Sequence, residues 1–282
     1  MMTTKALQVP LARATNITPF ANCHRGFKSL NSSSFLGNSS SFQSTLTSLR
    51  SRQSVAVTPR ALLKIKENAT GVEYPLVQKY WLGEEFRAMG AGVRTKKIAF
   101  LGVKVYAVAL FVEAAKAAHE MGVRARGGFF ETDDDYCSAL VDGGFIKCLQ
   151  IELVRDVEGA TFVEALNEAL TPRMSLTGEL SILEEFRSFF QEKKLTKGTN
   201  IVLMYRTDAT LDVVVRDQRP ADWSNMVGDL SIGSPSLCRA LFEVFLGEKS
   251  VIPDAKKEFA NGARALLESD KVRRDTRKGG TG

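Results

Sequence analysis

Residues 97–113 read Lys97-Ile98-Ala99-Phe100-Leu101-Gly102-Val103-Lys104-Val105-Tyr106-Ala107-Val108-Ala109-Leu110-Phe111-Val112-Glu113. Val105, Ala107, Ala109 and Phe111 alternate with Tyr106, Val108, Leu110 and Val112, so an extended chain here is apolar on both sides. A strand with that pattern is buried on both faces, within a sheet that carries a layer against each. The run is also far short of the roughly 18 apolar residues a membrane span requires.

Outward from this strand the pattern alternates between the two periods. Gly90-Ala91-Gly92 introduces it, and Leu62–Lys66 and Phe145–Arg155 read as further strands, the latter with Leu149, Ile151 and Leu153 on one side and Gln150 and Glu152 on the other. Helical spacing marks Ala114–Met121, Asp134–Val141, Thr161–Leu170 (Phe162, Leu166, Leu170) and Glu179–Lys193. The acids of Thr132-Asp133-Asp134-Asp135 suit the start of the second of these. Strands return at Asn200–Arg206, Thr210–Arg216 and near Met226–Ile232, and helices close the chain at Pro235–Leu246 and Pro253–Leu267. Strands, helices, strands, helices without strict alternation indicate an α+β class, an antiparallel sheet with helices packed on one face.

Charge divides the chain. Of 38 Lys plus Arg and 32 Asp plus Glu in 282 residues, the first sixty residues hold seven basic and no acidic ones, leaving 31 against 32 beyond. The folded part is therefore not basic, and no nucleic-acid partner is expected. Residues 1–60 also contain 11 Ser and 7 Thr and no sustained periodicity. A basic, hydroxyl-rich, acid-free leader without a 7–15-residue apolar core is the composition of an organellar transit peptide, with a plastid favoured over a mitochondrion. The organisation expected is a disordered transit peptide at 1–60, one domain at 61–270 and a charged, frayed tail at 271–282. Past the leader three cysteines remain (Cys137, Cys148, Cys238), without CxxC spacing, which fits buried thiols in a reducing stroma.

Familiar chemistry is missing. Gly247-Glu248-Lys249-Ser250 lacks the upstream glycine of a phosphate loop, and His119-Glu120 lacks a second histidine for zinc, leaving His119 as a surface residue. Asp133-Asp134-Asp135 lacks the spacing of a calcium loop and is better read as a helix cap. No metal or cofactor is expected.

Glu73-Tyr74-Pro75, Gly90-Ala91-Gly92-Val93-Arg94 with the following strand to Glu113, Ser236-Leu237-Cys238-Arg239-Ala240-Leu241-Phe242 with Gly247, and Pro253-Asp254-Ala255-Lys256 together resemble the chalcone isomerase family over about residues 62–268. The resemblance implies an open-faced β-sandwich, a large antiparallel sheet covered by a helical layer with a ligand cleft between. Enzymes of that family cyclise a chalcone to a flavanone using an Arg, a Thr, a Tyr and an Asn. Here the Arg is kept as Arg94, while Tyr106 stands at the Thr position and Phe162 and Ala169 at the Tyr and Asn positions. Losing an oriented donor typically costs a factor of about 10² to 10³, so a non-catalytic protein is expected.

Arg94 with Tyr106 resembles instead the fatty-acid-binding branch of the family, found in plastids and tied to fatty-acid metabolism. The chemistry is consistent: a guanidinium presents two parallel donors to a carboxylate, a phenol a third, and Phe162 and Ala169 make the cleft lining apolar. The expected ligand is a free fatty acid held by a monomer without stable membrane insertion. An isomerase with a rearranged site, and a non-catalytic partner of another flavonoid enzyme, stand as alternatives. One geometric condition applies. Twelve residues of a single strand would separate Arg94 from Tyr106 by about 40 Å, so the chain must reverse between them, near Phe100–Gly102. Otherwise Arg94 would be read as a structural salt bridge and Tyr106 as a half-buried sheet residue.

Overall fold

The computed structural model describes residues 63–98 and 100–279. The leader and the start of the first expected strand lie outside these. In chain order the elements are β1 (Lys64–Lys66), β2 (Glu73–Pro75), β3 (Val77–Lys79), β4 (Glu85–Ile98), β5 (Leu101–Glu113), α1 (Ala114–Arg126), α2 (Asp133–Asp142), β6 (Lys147–Leu153), β7 (Val157–Glu158), α3 (Gly159–Thr177), α4 (Leu180–Gln191), β8 (Lys194–Leu195), β9 (Asn200–Tyr205), β10 (Thr210–Arg216), β11 (Leu230–Gly233), α5 (Pro235–Leu246) and α6 (Ala255–Gly279). Seven strands form one antiparallel sheet in the order β11-β10-β9-β6-β5-β4-β3. The α+β architecture with a helical layer on a large antiparallel sheet is as the sequence indicates.

The doubly apolar strand lies near the middle of this sheet, and its two faces feed two cores. Tyr106, Val108, Leu110 and Val112 join the helix-side core with Leu149, Ile151, Leu153 and residues of all six helices. Ala107, Ala109 and Phe111 join a second core beneath Tyr74, Tyr80, Phe86 and Trp223. Burying both sides of one strand removes the solvent face that would otherwise need polar residues.

Several element ends differ from the sequence reading for identifiable reasons. The reversal expected near Phe100–Gly102 falls slightly earlier, β4 and β5 forming a hairpin that turns between Ile98 and Leu101. Expected to stop at Leu170, α3 runs through Pro172 to Thr177, because Met174 extends the buried four-residue stripe of Phe162, Leu166 and Leu170. Its end is fixed by Gly178, whose left-handed φ of 74° suits a residue without Cβ. The charged stretch from Lys271, expected to fray, continues α6 to Gly279, with Asp270 paired to Arg273 and Arg274 one turn on. The strand expected near Met226 is confined to Leu230–Gly233.

The triple-acid start of α2 behaves as a cap: Thr132 accepts from the Asp135 amide while Asp135 reaches back to the Thr132 amide. Asp133 and Asp134 then pair with Arg264 and Lys256 of α6, tying the two helices together. Cys137, Cys148 and Cys238 are buried and unpaired, and His119 is exposed on α1.

Candidate functional site

The site begins with two glycines. Gly90, Gly92 and Arg94 alternate onto the helix-covered face of β4, and α6 lies directly on the first two. A Cβ on Gly90 would sit 2.8 Å from the Glu258 carbonyl carbon, and one on Gly92 would sit 2.3 Å from the Ala255 Cβ. From the other side, a Cβ on Gly262 would meet the Met89 carbonyl oxygen at 1.8 Å. Strand and helix backbones thus approach as closely as two surfaces without side chains allow. That contact draws the segment leading into α6 across the next residue on the face: Arg94 Nη1 donates to the Val251 carbonyl at 2.8 Å.

Across the hairpin, Arg94 is the direct register partner of Tyr106. Side chains of directly opposed residues share a face, so the chain reversal that the sequence required brings the pair together. A register shift follows at once, Arg94 opposing Tyr106 and Thr95 opposing Lys104, which leaves Val105 as a bulge residue packed with Tyr106 on the same core. Bulges of this kind re-aim side chains and interrupt pairing beside functional sites.

Tyr106 is only 5% exposed, and among the described residues its hydroxyl has no hydrogen-bond partner. Burial pushes the phenol above its ordinary range, and the nearby Arg94 charge partly opposes this. It is therefore a neutral donor at any physiological pH. Arg94 is half-buried, bonds the Val251 carbonyl and has no carboxylate partner among the described residues. Phe162 sets its ring edge-on to Tyr106, centroids 5.9 Å apart, and Phe190 stands 5.3 Å behind it. Ala169 packs against the same helix-side core. It lies seven residues, or about 10 Å, along α3, half-buried, its carbonyl accepting from Arg173 Nη1 at 2.6 Å. A groove of about 420 Å³ between β4 and α6 is lined by Gly92, Val93 and Ala255 but by neither Arg94 nor Tyr106.

The family model described as chalcone-flavanone isomerase matches residues 69–266. The chain belongs to the chalcone–flavanone isomerase family. Among relatives, the chalcone–flavanone isomerase of Hordeum vulgare is 24% identical over 186 residues, covering 63% of this chain and 79% of that protein. Chalcone isomerase-like protein 2 of Humulus lupulus is 25% identical over 134 residues, 45% of this chain and 64% of that protein. Among solved structures, a fatty-acid binding protein of Arabidopsis thaliana superposes with a TM-score of 0.61 at 19% identity, over 73% of this chain and 99% of that one. At that identity the likeness concerns the fold.

Within this chalcone–flavanone isomerase fold two polar features escaped the sequence. The Val251 carbonyl is one, since nothing in a loop 157 residues from Arg94 signals the contact. Lys147 is the other, visible only as a lone cation in an apolar strand. It is 1% exposed and donates to the carbonyls of Leu140, Val141 and Gly143 at the end of α2, at 2.7, 2.6 and 2.9 Å. Burial pushes its ammonium down to about 7, while the carbonyls and the rings of Phe145, Tyr205 and Phe242 face the cation. It acts as an internal cap for α2, well apart in sequence from the Arg94 site. On the opposite sheet face, Gln150 and Glu152, read as sharing the side away from Leu149 and Ile151, are tied into a network: Tyr80 donates to Gln150, Gln150 to Asn200, and Asn200 and Arg219 to Glu152.

Proposed function

We propose that this chain binds a free fatty acid, with the carboxylate held by Arg94 and Tyr106 and the acyl chain among the apolar residues between sheet and helices. The observation that carries this reading is the register pairing of Arg94 with Tyr106 on the covered face, the guanidinium having no carboxylate partner and the phenol, 5% exposed, no hydrogen-bond partner among the described residues. A carboxylate satisfies both at once, and its bidentate geometry matches the guanidinium. Burying an acyl chain contributes about 0.8 kcal/mol per methylene, so a twelve-carbon chain supplies on the order of 8 kcal/mol before ordering costs, enough for micromolar binding. The Phe162 ring stands beside Tyr106 with Phe190 behind it, so the chain enters by displacing Phe162.

The reading is non-catalytic, because Tyr106, Phe162 and Ala169 in place of Thr, Tyr and Asn supply fewer oriented donors to a developing charge. The composition of residues 1–60 supports extending the reading to the plastid stroma and fatty-acid metabolism. Native mass spectrometry of the full chain from bacteria should find co-purifying long-chain fatty acids, and protein that is repeatedly empty would contradict the reading. Residues 1–60 fused to a fluorescent protein should carry it into plastids; import into mitochondria would overturn the compartment alone. A second reading, a non-catalytic partner of a flavonoid enzyme, draws on the Phe162 ring packed beside Tyr106, and the same empty protein would favour it. Cyclisation of naringenin chalcone above background would instead show an isomerase.

A further inference from the structure

The β4–β5 hairpin ends in a feature that neither the fold nor the ligand reading uses. Phe100 is fully exposed (104%) and Leu101 is 72% exposed, and they are the one adjacent pair among the large exposed apolar side chains of the described residues. Turns ordinarily carry Gly, Asn, Asp or Ser, whose side chains water solvates, so a phenylalanine and a leucine here cost solubility without adding to either core. Behind them on the two strands stand Lys96, Lys97 and Lys104, all exposed, with Lys96 and Lys97 registered opposite Val103 and Gly102. No acidic residue occurs between Glu85 and Glu113. Lys104 is held toward the neighbouring turn by the Ala69 carbonyl; Glu67 in that turn is buried and accepts from the Ala69 and Thr70 amides. The end of the hairpin therefore presents an apolar point backed by uncompensated positive charge.

We propose that this hairpin end docks reversibly on an anionic lipid bilayer, Phe100 and Leu101 entering the interface and Lys96, Lys97 and Lys104 resting on acidic headgroups. Charge complementarity commits the surface to this occupant: an apolar protein partner would be served by Phe100 and Leu101 alone, whereas a lysine collar suits a surface that is negative outside and apolar within. Each lysine near such a surface adds roughly fivefold in affinity, and burial of the two apolar side chains adds about 100-fold. Tyr106 lies five residues behind Leu101 on the same strand, or about 17 Å, so a docked hairpin holds the sheet's ligand face within an acyl-chain length of the membrane. The docking surface stands independently of the ligand assignment, because none of its residues is Arg94 or Tyr106.

The test uses the full-length chain with sonicated vesicles of phosphatidylcholine containing 30% phosphatidylglycerol, and pure phosphatidylcholine as reference. A Phe100→Trp variant should show a blue-shifted emission on adding the anionic vesicles and little change with the neutral ones. In co-sedimentation, Phe100→Ser with Leu101→Ser should weaken binding to anionic vesicles at least tenfold, and Lys96→Glu with Lys97→Glu at least tenfold as well, while all variants keep the wild-type circular dichroism spectrum. Every protein shares residues 1–60, so differences between them report the hairpin. Raised salt should release the wild type. An unshifted tryptophan emission, unchanged binding of either double variant, or equal binding to neutral vesicles would overturn the proposal. So would self-association in sedimentation velocity that depends on Phe100 and Leu101 without vesicle binding, which would assign the surface to a second copy.

Discussion

Gly92→Ala adds a single methyl group at the point where β4 and α6 meet. The new Cβ would lie 2.3 Å from the Ala255 Cβ, 3.4 Å from the Ala255 Cα and 3.8 Å from Ile252 Cδ1. The nearest atom is a Cβ fixed to a helix backbone, with no flexible end to swing aside, so α6 must lift by more than an ångström at its first turn. Overpacking of this kind costs about 1–3 kcal/mol, and a contact this short belongs at the upper end. Reduced freedom of the unfolded chain offsets about 0.4–1 kcal/mol, leaving roughly 2 kcal/mol. For a domain of this size that is a fall in melting temperature of about 4–8 °C. Gly233 supplies the control, since a Cβ there meets nothing within 4 Å, and Gly233→Ala should be nearly neutral. Because the same contact carries Val251 onto Arg94, Gly92→Ala should also lower fatty-acid occupancy by native mass spectrometry. Melting temperatures of the two variants within 1 °C of each other would refute the close-packing account of Gly90 and Gly92.

Tyr106→Phe removes one donor to a charged acceptor and should weaken fatty-acid binding by about 1.5–3 kcal/mol, read by competition titration; unchanged affinity would remove Tyr106 from the site. Burial holds Tyr74, Tyr80 and Tyr106 above their ordinary range. Unfolded tyrosines ionise near 10 while these stay protonated, so above that pH the native state binds more protons, and stability falls by about 1.4 kcal/mol per pH unit for each. Guanidinium midpoints at pH 9 and 11 check this, and an equal midpoint would count against it. Lys147→Met leaves the Leu140, Val141 and Gly143 carbonyls without their donor and should lower stability by about 1–3 kcal/mol. A variant as stable as the wild type in the same denaturation would mean that the cost of burying the ammonium outweighs its bonds.

What the sequence made legible follows from how local each signal is. The double apolar alternation of Val105–Val112 dictated a strand covered on both faces, and both covers exist. The hairpin was legible only through a distance condition, because Arg94 and Tyr106 can meet only if the chain turns between them. The bulge at Val105 was not legible, since an apolar residue in an apolar run carries no sign of register. Gly90-Ala91-Gly92 was read only as introducing the strand, since the close approach of α6 to these glycines depends on Gly262 and Ala255, more than 160 residues away. The apolar stripe was read only as far as Leu170, but a buried Met174 carries α3 past Pro172 and outweighs one missing backbone bond. Ala169 was grouped with Phe162 by its place in the family pattern, and it lies seven positions, about two turns, further along α3, packed against the same core.

The most direct test of the fatty-acid assignment is the occupancy of Arg94→Leu protein by native mass spectrometry, beside wild type, after equilibration with a long-chain fatty acid or its methyl ester. Removing the cation leaves a buried carboxylate unpaired, which commonly costs about 3–5 kcal/mol, or two to four decades in affinity. Wild type should retain the acid and not the ester, and Arg94→Leu should retain neither while keeping its circular dichroism spectrum. Arg94→Leu protein that folds normally and holds the free acid at wild-type occupancy would contradict the assignment.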